Sequence, residues 1–162
     1  MLNTFVDTNH NKVPFVTQII LSLGTNDIKY FRRENGRNKC ATPGNMRVFY
    51  KPLTNLIKSI RYFFGNNVKI CMQSVLPMRA QYTYTCANVL NFNSLLKSIC
   101  NELDCFYLDW MHLFVNEDAS DYNKRMFSDF CHLNRFGYDL LHRCLKSAVD
   151  GDRYRNYHNY FH

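Results

Sequence analysis

The sequence predicts an α/β domain of three layers, with a parallel sheet between two layers of helices, and three observations predict it. Apolar runs of strand length alternate with segments whose apolar residues recur every three or four positions, in the order strand, helix, strand, helix, strand, helix. Such alternation is accommodated by a parallel sheet with right-handed crossovers and helices on both faces. The first apolar run is nearly continuous, as expected of a strand covered on both faces. Two of the sharpest polar clusters, Gly24–Asp27 and Asp129–Asn134, fall at or after strand ends, where such sheets bind ligands.

The elements follow in order. Residues 1–12 are polar and read as a tail, and 149–162 as a second one, leaving a domain over 13–148. The run Phe15–Leu23 is β-branched and apolar, predicts a strand buried on both faces, and stops abruptly at Gly24-Thr25-Asn26-Asp27. Residues 29–45 are basic and polar and predict a surface loop at the rim of the crevice. From about Arg47, Leu53, Leu56, Ile57, Ile60 and Phe64 stand at helical spacing. Pro52 belongs in the first turn of that helix or kinks what precedes it, and Gly65-Asn66-Asn67 ends it. Val68–Val75 predicts a second strand, closed by Leu76-Pro77 and followed by a loop over 78–87. A second helix carries Phe92, Leu95, Leu96, Ile99, Cys100 and Leu103 on one face. Cys105–Asp109 predicts a third strand, 115–131 is mostly loop, and a last helix is expected to bury Phe136, Leu140, Leu141, Cys144 and Leu145.

Composition narrows the function classes. With 46% hydrophobic residues, 13 Phe and 11 Tyr in 162 residues, the chain can pack one core and is not of disordered type. Its seven cysteines are odd in number, form no CxxC and repeat no spacing, which points to reduced thiols and an intracellular, cytoplasmic protein. No stretch has the ~20 apolar residues a membrane span needs, and the first thirty residues show no export signal. The net charge of +7 attracts polyanions non-specifically, and Arg32, Arg33, Arg37 and Lys39 concentrate it. The balance of expectation there is a solvated loop. The tail Tyr154–His162, with Arg153 just before it, interleaves bases with aromatics as single-strand binders do, but is short and terminal. Histidines 10, 112, 142, 158 and 162 form no metal-ligand spacing, so neither a metal nor another cofactor is expected.

An apolar strand ending in Gly24-Thr25-Asn26-Asp27 resembles the Gly-x-Asn-Asp block of SGNH (GDSL-type) hydrolases. Asp129-Phe130-Cys131-His132-Leu133-Asn134, followed by Gly137, resembles that family's Asp-x-x-His block. Ser74-Val75-Leu76-Pro77 is similar to a family strand end lying between these two, and Asn91 and Asn93 match a recurrent asparagine region loosely. The resemblance spans about residues 13–148 and implies the flavodoxin-like fold of that family. It also implies acyl transfer, with His132 as general base, Asp129 orienting its ring, Asn26 donating to the oxyanion, and Gly24 admitting the backbone closely. The physical chemistry agrees: a neutral imidazole is a base only when its far nitrogen is held as a donor. The bland alternatives are that Asp27 is a turn or cap residue and that Asn134 caps the last helix.

The family's Gly-Asp-Ser nucleophile block and its second block, a glycine N–H donor, do not occur in these 162 residues. Asp7-Thr8-Asn9 has no buried strand before it, and Ser22 and Ser74 end the wrong strands. The resemblance therefore implies a domain lacking its first one or two βα units, from a truncated gene model or a degraded copy. Such a chain is expected to be inactive alone and marginally soluble, because Phe15–Leu23 becomes an exposed edge; a monodisperse, cooperatively melting monomer would refute the latter. Its complete form is expected to take a small ester, or an acetylated carbohydrate or lipid. The other reading is a non-catalytic, weakly nucleic-acid-associated module, as occurs beside similar domains in retrotransposons and large DNA viruses.

Overall fold

The computed structural model describes residues 16–29, 33–34, 37–38, 46–78, 85–116 and 122–150. Most of both expected tails and much of the basic segment lie outside these. Strand β1 is Gln18–Leu21, followed by the short helix α1, Thr25–Lys29. A ribbon follows, β2 at Arg33–Glu34 and β3 at Arg37–Asn38, paired antiparallel. Helix α2 is Tyr50–Phe64, β4 is Lys69–Gln73, α3 is Thr85–Glu102, β5 is Phe106–Leu108, and α4 is Arg135–Asp150.

The main sheet has the order β1-β4-β5 and is parallel throughout, with Ile19 opposite Ile70 and Met72 opposite Tyr107. Each adjacent pair is joined through a helix, as the alternation requires. Ile70 and Met72 enter the larger core with Ile57 and Ile60 of α2 and Phe92, Leu96 and Ile99 of α3. Gln18, at the start of β1, donates to the Ala148 carbonyl of α4 at 3.3 Å and lies 3.5 Å from the Cys71 sulfur. A second core gathers Trp110, Phe114, Tyr122, Met126, Phe127 and Leu133 against Leu140 and Cys144 of α4.

Punctuation residues act as expected. Pro52 sits in the first turn of α2, where its missing N–H costs no helical bond. Gly65, at φ 87°, ends the helix and donates its N–H to the Arg61 carbonyl. Arg61 in turn donates to the Leu103 and Asp104 carbonyls at the end of α3, fastening the two helices together.

Three expectations need correction. β1 is half-buried along its length and not enclosed as its apolar run alone suggested; β4 is its single neighbour in the sheet among the described residues, the edge position that the missing first strand implies. Phe136 is 69% exposed: the buried stripe of α4 runs Gly137, Leu140, Cys144, Ser147, one position round from it. The basic segment is not all loop, since Arg33 and Arg37 lie on the ribbon; Arg32 and Lys39 are outside the described residues.

The buried thiols make a pH prediction. Burial pushes Cys100 up to about 12 and Cys144 up to about 11, from an ordinary 9.0. Both keep their protons in the fold after the unfolded chain has lost them, so their contribution to stability is present below pH 9.0 and is lost as pH rises through 11 and 12. Urea midpoints are expected to fall steadily above pH 9.0, and less steeply in Cys100→Ala; an equal slope in the variant would refute this account.

Candidate active site

Gly24-Thr25-Asn26-Asp27 leaves β1 and becomes the first turn of α1, with Ile28 N–H bonded to the Gly24 carbonyl at 2.9 Å. Gly24 is buried at φ 103°, and a Cβ there would lie 2.4 Å from Cε1 of Phe92 and 2.9 Å from Cγ2 of Val75. Only glycine allows the chain to turn this close to α3. The turn presents Asn26 and Asp27 at the surface.

The end of β4 is built from buried polar groups. Asn93 on α3 accepts from Val75 N–H at 2.8 Å and donates to the Val75 carbonyl at 3.0 Å. Ser74 Oγ accepts from the N–H groups of Trp110 and Met111 at 3.0 and 2.9 Å, which ties this strand end to the 3₁₀ turn Met111–Phe114. Ser74 is 1% exposed, with its Oγ taken up by these two N–H groups. Asn93→Ala leaves both Val75 groups unpaired in the core and is expected to cost about 2–5 kcal/mol. Chemical denaturation measures it, and a loss below about 1 kcal/mol would mean water replaces the amide.

The dyad sits on the loop before α4. Asp129 Oδ1 accepts the N–H groups of Cys131 and His132, each at 2.8 Å, so the carboxylate folds the loop around itself. That leaves Oδ2 for the His132 ring, 2.7 Å from Nδ1. The Cys131 N–H, then the His132 ring and the His132 N–H, hold the Asp129 carboxyl well below the usual carboxylate range. It is therefore ionised wherever an imidazole can be neutral. The side chains are 65% exposed for His132 and 45% for Asp129. Ser128 N–H and Oγ both bond the His132 carbonyl, at 2.8 and 3.1 Å. Asn134 then caps α4, accepting from Gly137 N–H at 3.1 Å while its amide donates to the Arg125 carbonyl at 2.8 Å. A Cβ on Gly137 would stand 2.2 Å from the Met126 carbonyl oxygen, so this residue seats α4 against the loop.

A cleft of about 160 Å³ joins these parts at the carboxyl end of the sheet. Ser22, Thr25, Gln73, Ser74, Cys131 and His132 are among its walls. The block after β1 and the Asp-x-x-His block, about a hundred residues apart in sequence, thus flank one crevice. Asn26 is next to the wall residue Thr25 but is not itself part of the lining. Ser22, which ends the wrong strand for the family's nucleophile, and Cys131, which no motif marks as functional, both line the cleft with His132, Ser22 exposed and Cys131 half-buried. The Cys131 sulfur lies 3.6 Å from His132 Nδ1. Cys131 packs against the larger core and Leu133 belongs to the second, so His132 stands between residues anchored in different cores. Among the described residues, no helix is long and apolar enough to cross a membrane.

No family model matches the chain, and no curated protein matches it either. Solved structures do. A GDSL-like lipase from Bacteroides thetaiotaomicron superposes with a TM-score of 0.66 at 18% identity, over 93% of this chain and 69% of the lipase. An acetyl xylan esterase gives 0.66 at 15% identity, over 91% of this chain and 74% of the esterase. The esterase domain of the ORF1 protein from the zebrafish ZfL2-1 retrotransposon gives 0.55 at 21% identity, over 80% of this chain and 70% of that domain. The chain has the SGNH-hydrolase fold, an α/β architecture with a parallel sheet.

Proposed function

We propose that this chain with the SGNH-hydrolase fold is the base-and-oxyanion portion of an ester hydrolase acting on a small ester or an acetylated carbohydrate or lipid. The observation that supports it most is the Asp129–His132 pair, 2.7 Å apart, with His132 in the wall of the cleft at the sheet's carboxyl end. In this reading His132 Nε2 takes the proton of a serine hydroxyl as that oxygen attacks the ester carbonyl. It then passes the proton to the departing alkoxide. Asp129 holds Nδ1–H, keeps the base in the right tautomer and stabilises the imidazolium. The Asn26 amide donates to the oxyanion, and Gly24 sets the turn that carries it.

The nucleophile comes from a Gly-Asp-Ser segment that these residues do not contain, so the chain alone does not turn over. The test is hydrolysis of a nitrophenyl acetate by the chain alone and by the chain joined to two βα units bearing Gly-Asp-Ser. Hydrolysis by the joined protein alone, dependent on His132, is expected. A folded joined protein no faster than the chain by itself would remove the esterase reading. Turnover by the chain alone, lost in both Ser22→Ala and His132→Ala, would keep the esterase and make Ser22 its nucleophile.

A second reading, weak association with nucleic acid, draws on the net charge of +7 and the cluster Arg32, Arg33, Arg37 and Lys39. Salt-sensitive binding of single-stranded RNA that disappears when these residues are neutralised supports it. Binding indifferent to those changes removes it.

A further inference from the structure

We infer that Asp129, Cys131 and His132 form a site for a soft-to-borderline divalent ion, Zn²⁺ above all, which shares the Asp129–His132 pair with the proposed hydrolytic role, so that an ion bound there displaces the proton that holds His132 as a base. One donor atom from each lies within 4.8 Å of the other two. Carboxylate oxygen, thiolate sulfur and imidazole nitrogen are the three ligand types zinc takes. The Cys131 sulfur and His132 Nδ1 are 3.6 Å apart. Bonds of about 2.0–2.3 Å at tetrahedral angles separate neighbouring donors by roughly 3.3–3.7 Å, so this pair already stands at the edge of such a tetrahedron. Asp129 Oδ2 and His132 Nδ1 are closer, at 2.7 Å, because they share a hydrogen bond. An ion entering there replaces the shared proton and needs the pair to open by roughly 0.6–1 Å.

The donors are held in place before any ion arrives. Two backbone N–H groups fix the Asp129 carboxylate through Oδ1, which leaves Oδ2 as the outward oxygen. The His132 ring is oriented by that oxygen, and Cys131 is half-buried against the larger core. Little side-chain freedom is therefore lost on binding, unlike at an ordinary exposed carboxylate cluster. The cleft mouth gives an entry path, and the fourth position is left to water. A thiolate beside an imidazole selects Zn²⁺ or Co²⁺ over Mg²⁺ and Ca²⁺, which take oxygen ligands. The other five histidines show no metal-ligand spacing, and the donors come instead from the Asp-x-Cys-His run.

Co²⁺ titration of the reduced native chain tests the site. The expected result is a near-ultraviolet thiolate-to-cobalt charge-transfer band saturating at one ion per chain and erased by Zn²⁺. In Cys131→Ser the band is lost, although the other six cysteines remain. Asp129→Asn weakens Co²⁺ binding by roughly 100-fold or more, at least the loss seen when a ligand's outer-shell partner is removed. Absence of the band in the folded native chain overturns the proposal, as does a band that survives Cys131→Ser. Should Cys131→Ser not fold, His132→Gln removes a ring that is 65% exposed and contacts the loop through Asp129, and an undiminished band there overturns it equally.

Discussion

In a form of the domain supplied with its nucleophile, His132→Ala is expected to lower kcat for ester hydrolysis by about 10⁶-fold, because the serine then has no base. Asp129→Asn is expected to cost about 10⁴-fold: the ring stays near its place but the wrong nitrogen carries the proton. The combined variant is no slower than His132→Ala alone, since the two act as one unit through a 2.7 Å bond. Asn26→Ala removes one oxyanion donor and costs about 10²–10³-fold. Initial rates with a nitrophenyl ester measure all four. A His132→Ala enzyme within tenfold of the parent would show that the exposed ring is a bystander.

Gly24→Ala is expected to destabilise the fold severely. Two independent costs add at this residue. The backbone at φ 103° is one that side chains rarely adopt, and the new Cβ meets the Phe92 ring at 2.4 Å. Phe92 is 1% exposed and packed edge-on against Phe49 at 5.4 Å, so it cannot swing aside. Strain of about 1–3 kcal/mol and overpacking of similar size give roughly 2–6 kcal/mol, a large part of a typical domain's stability. Urea denaturation reads the loss directly. A change below about 0.5 kcal/mol would mean that β1 and α1 shift freely against α3.

Much of this was legible because the signals were local and redundant. β1, β4 and β5 were visible as apolar runs ending in turn residues, and their parallel order follows from the helices between them. Asp129, His132 and Asn134 could be read as a unit because one short loop contains carboxylate, ring and cap. What escaped depends on partners far along the chain. Phe136 was assigned to the core because it keeps helical spacing with Leu140, yet the true stripe is set by Gly137 meeting the Met126 carbonyl. Asn93 drew attention as part of a loose asparagine pattern, but its task of bracing Val75 is visible only once α3 lies over β4. Cys131 read as one more buried thiol, since a single-residue offset from His132 gives no hint that its sulfur lies beside the ring. β1 stands at the edge that the missing first strand implied, since an apolar run reports what a strand is able to bury, and not what is present to cover it.

His132 is held between Cys131, which rests on the larger core, and Leu133, which belongs to the smaller one. The Gly24 turn is braced by Phe92 of the larger core alone. The two sides of the cleft therefore rest on different packing. Loosening of Trp110, Phe114 and their neighbours takes away one of the two footings of the base, whereas the Gly24 turn rests on the larger core. The arrangement of the cleft thus depends on both cores at once, and a substitution that weakens either one is expected to disturb the base.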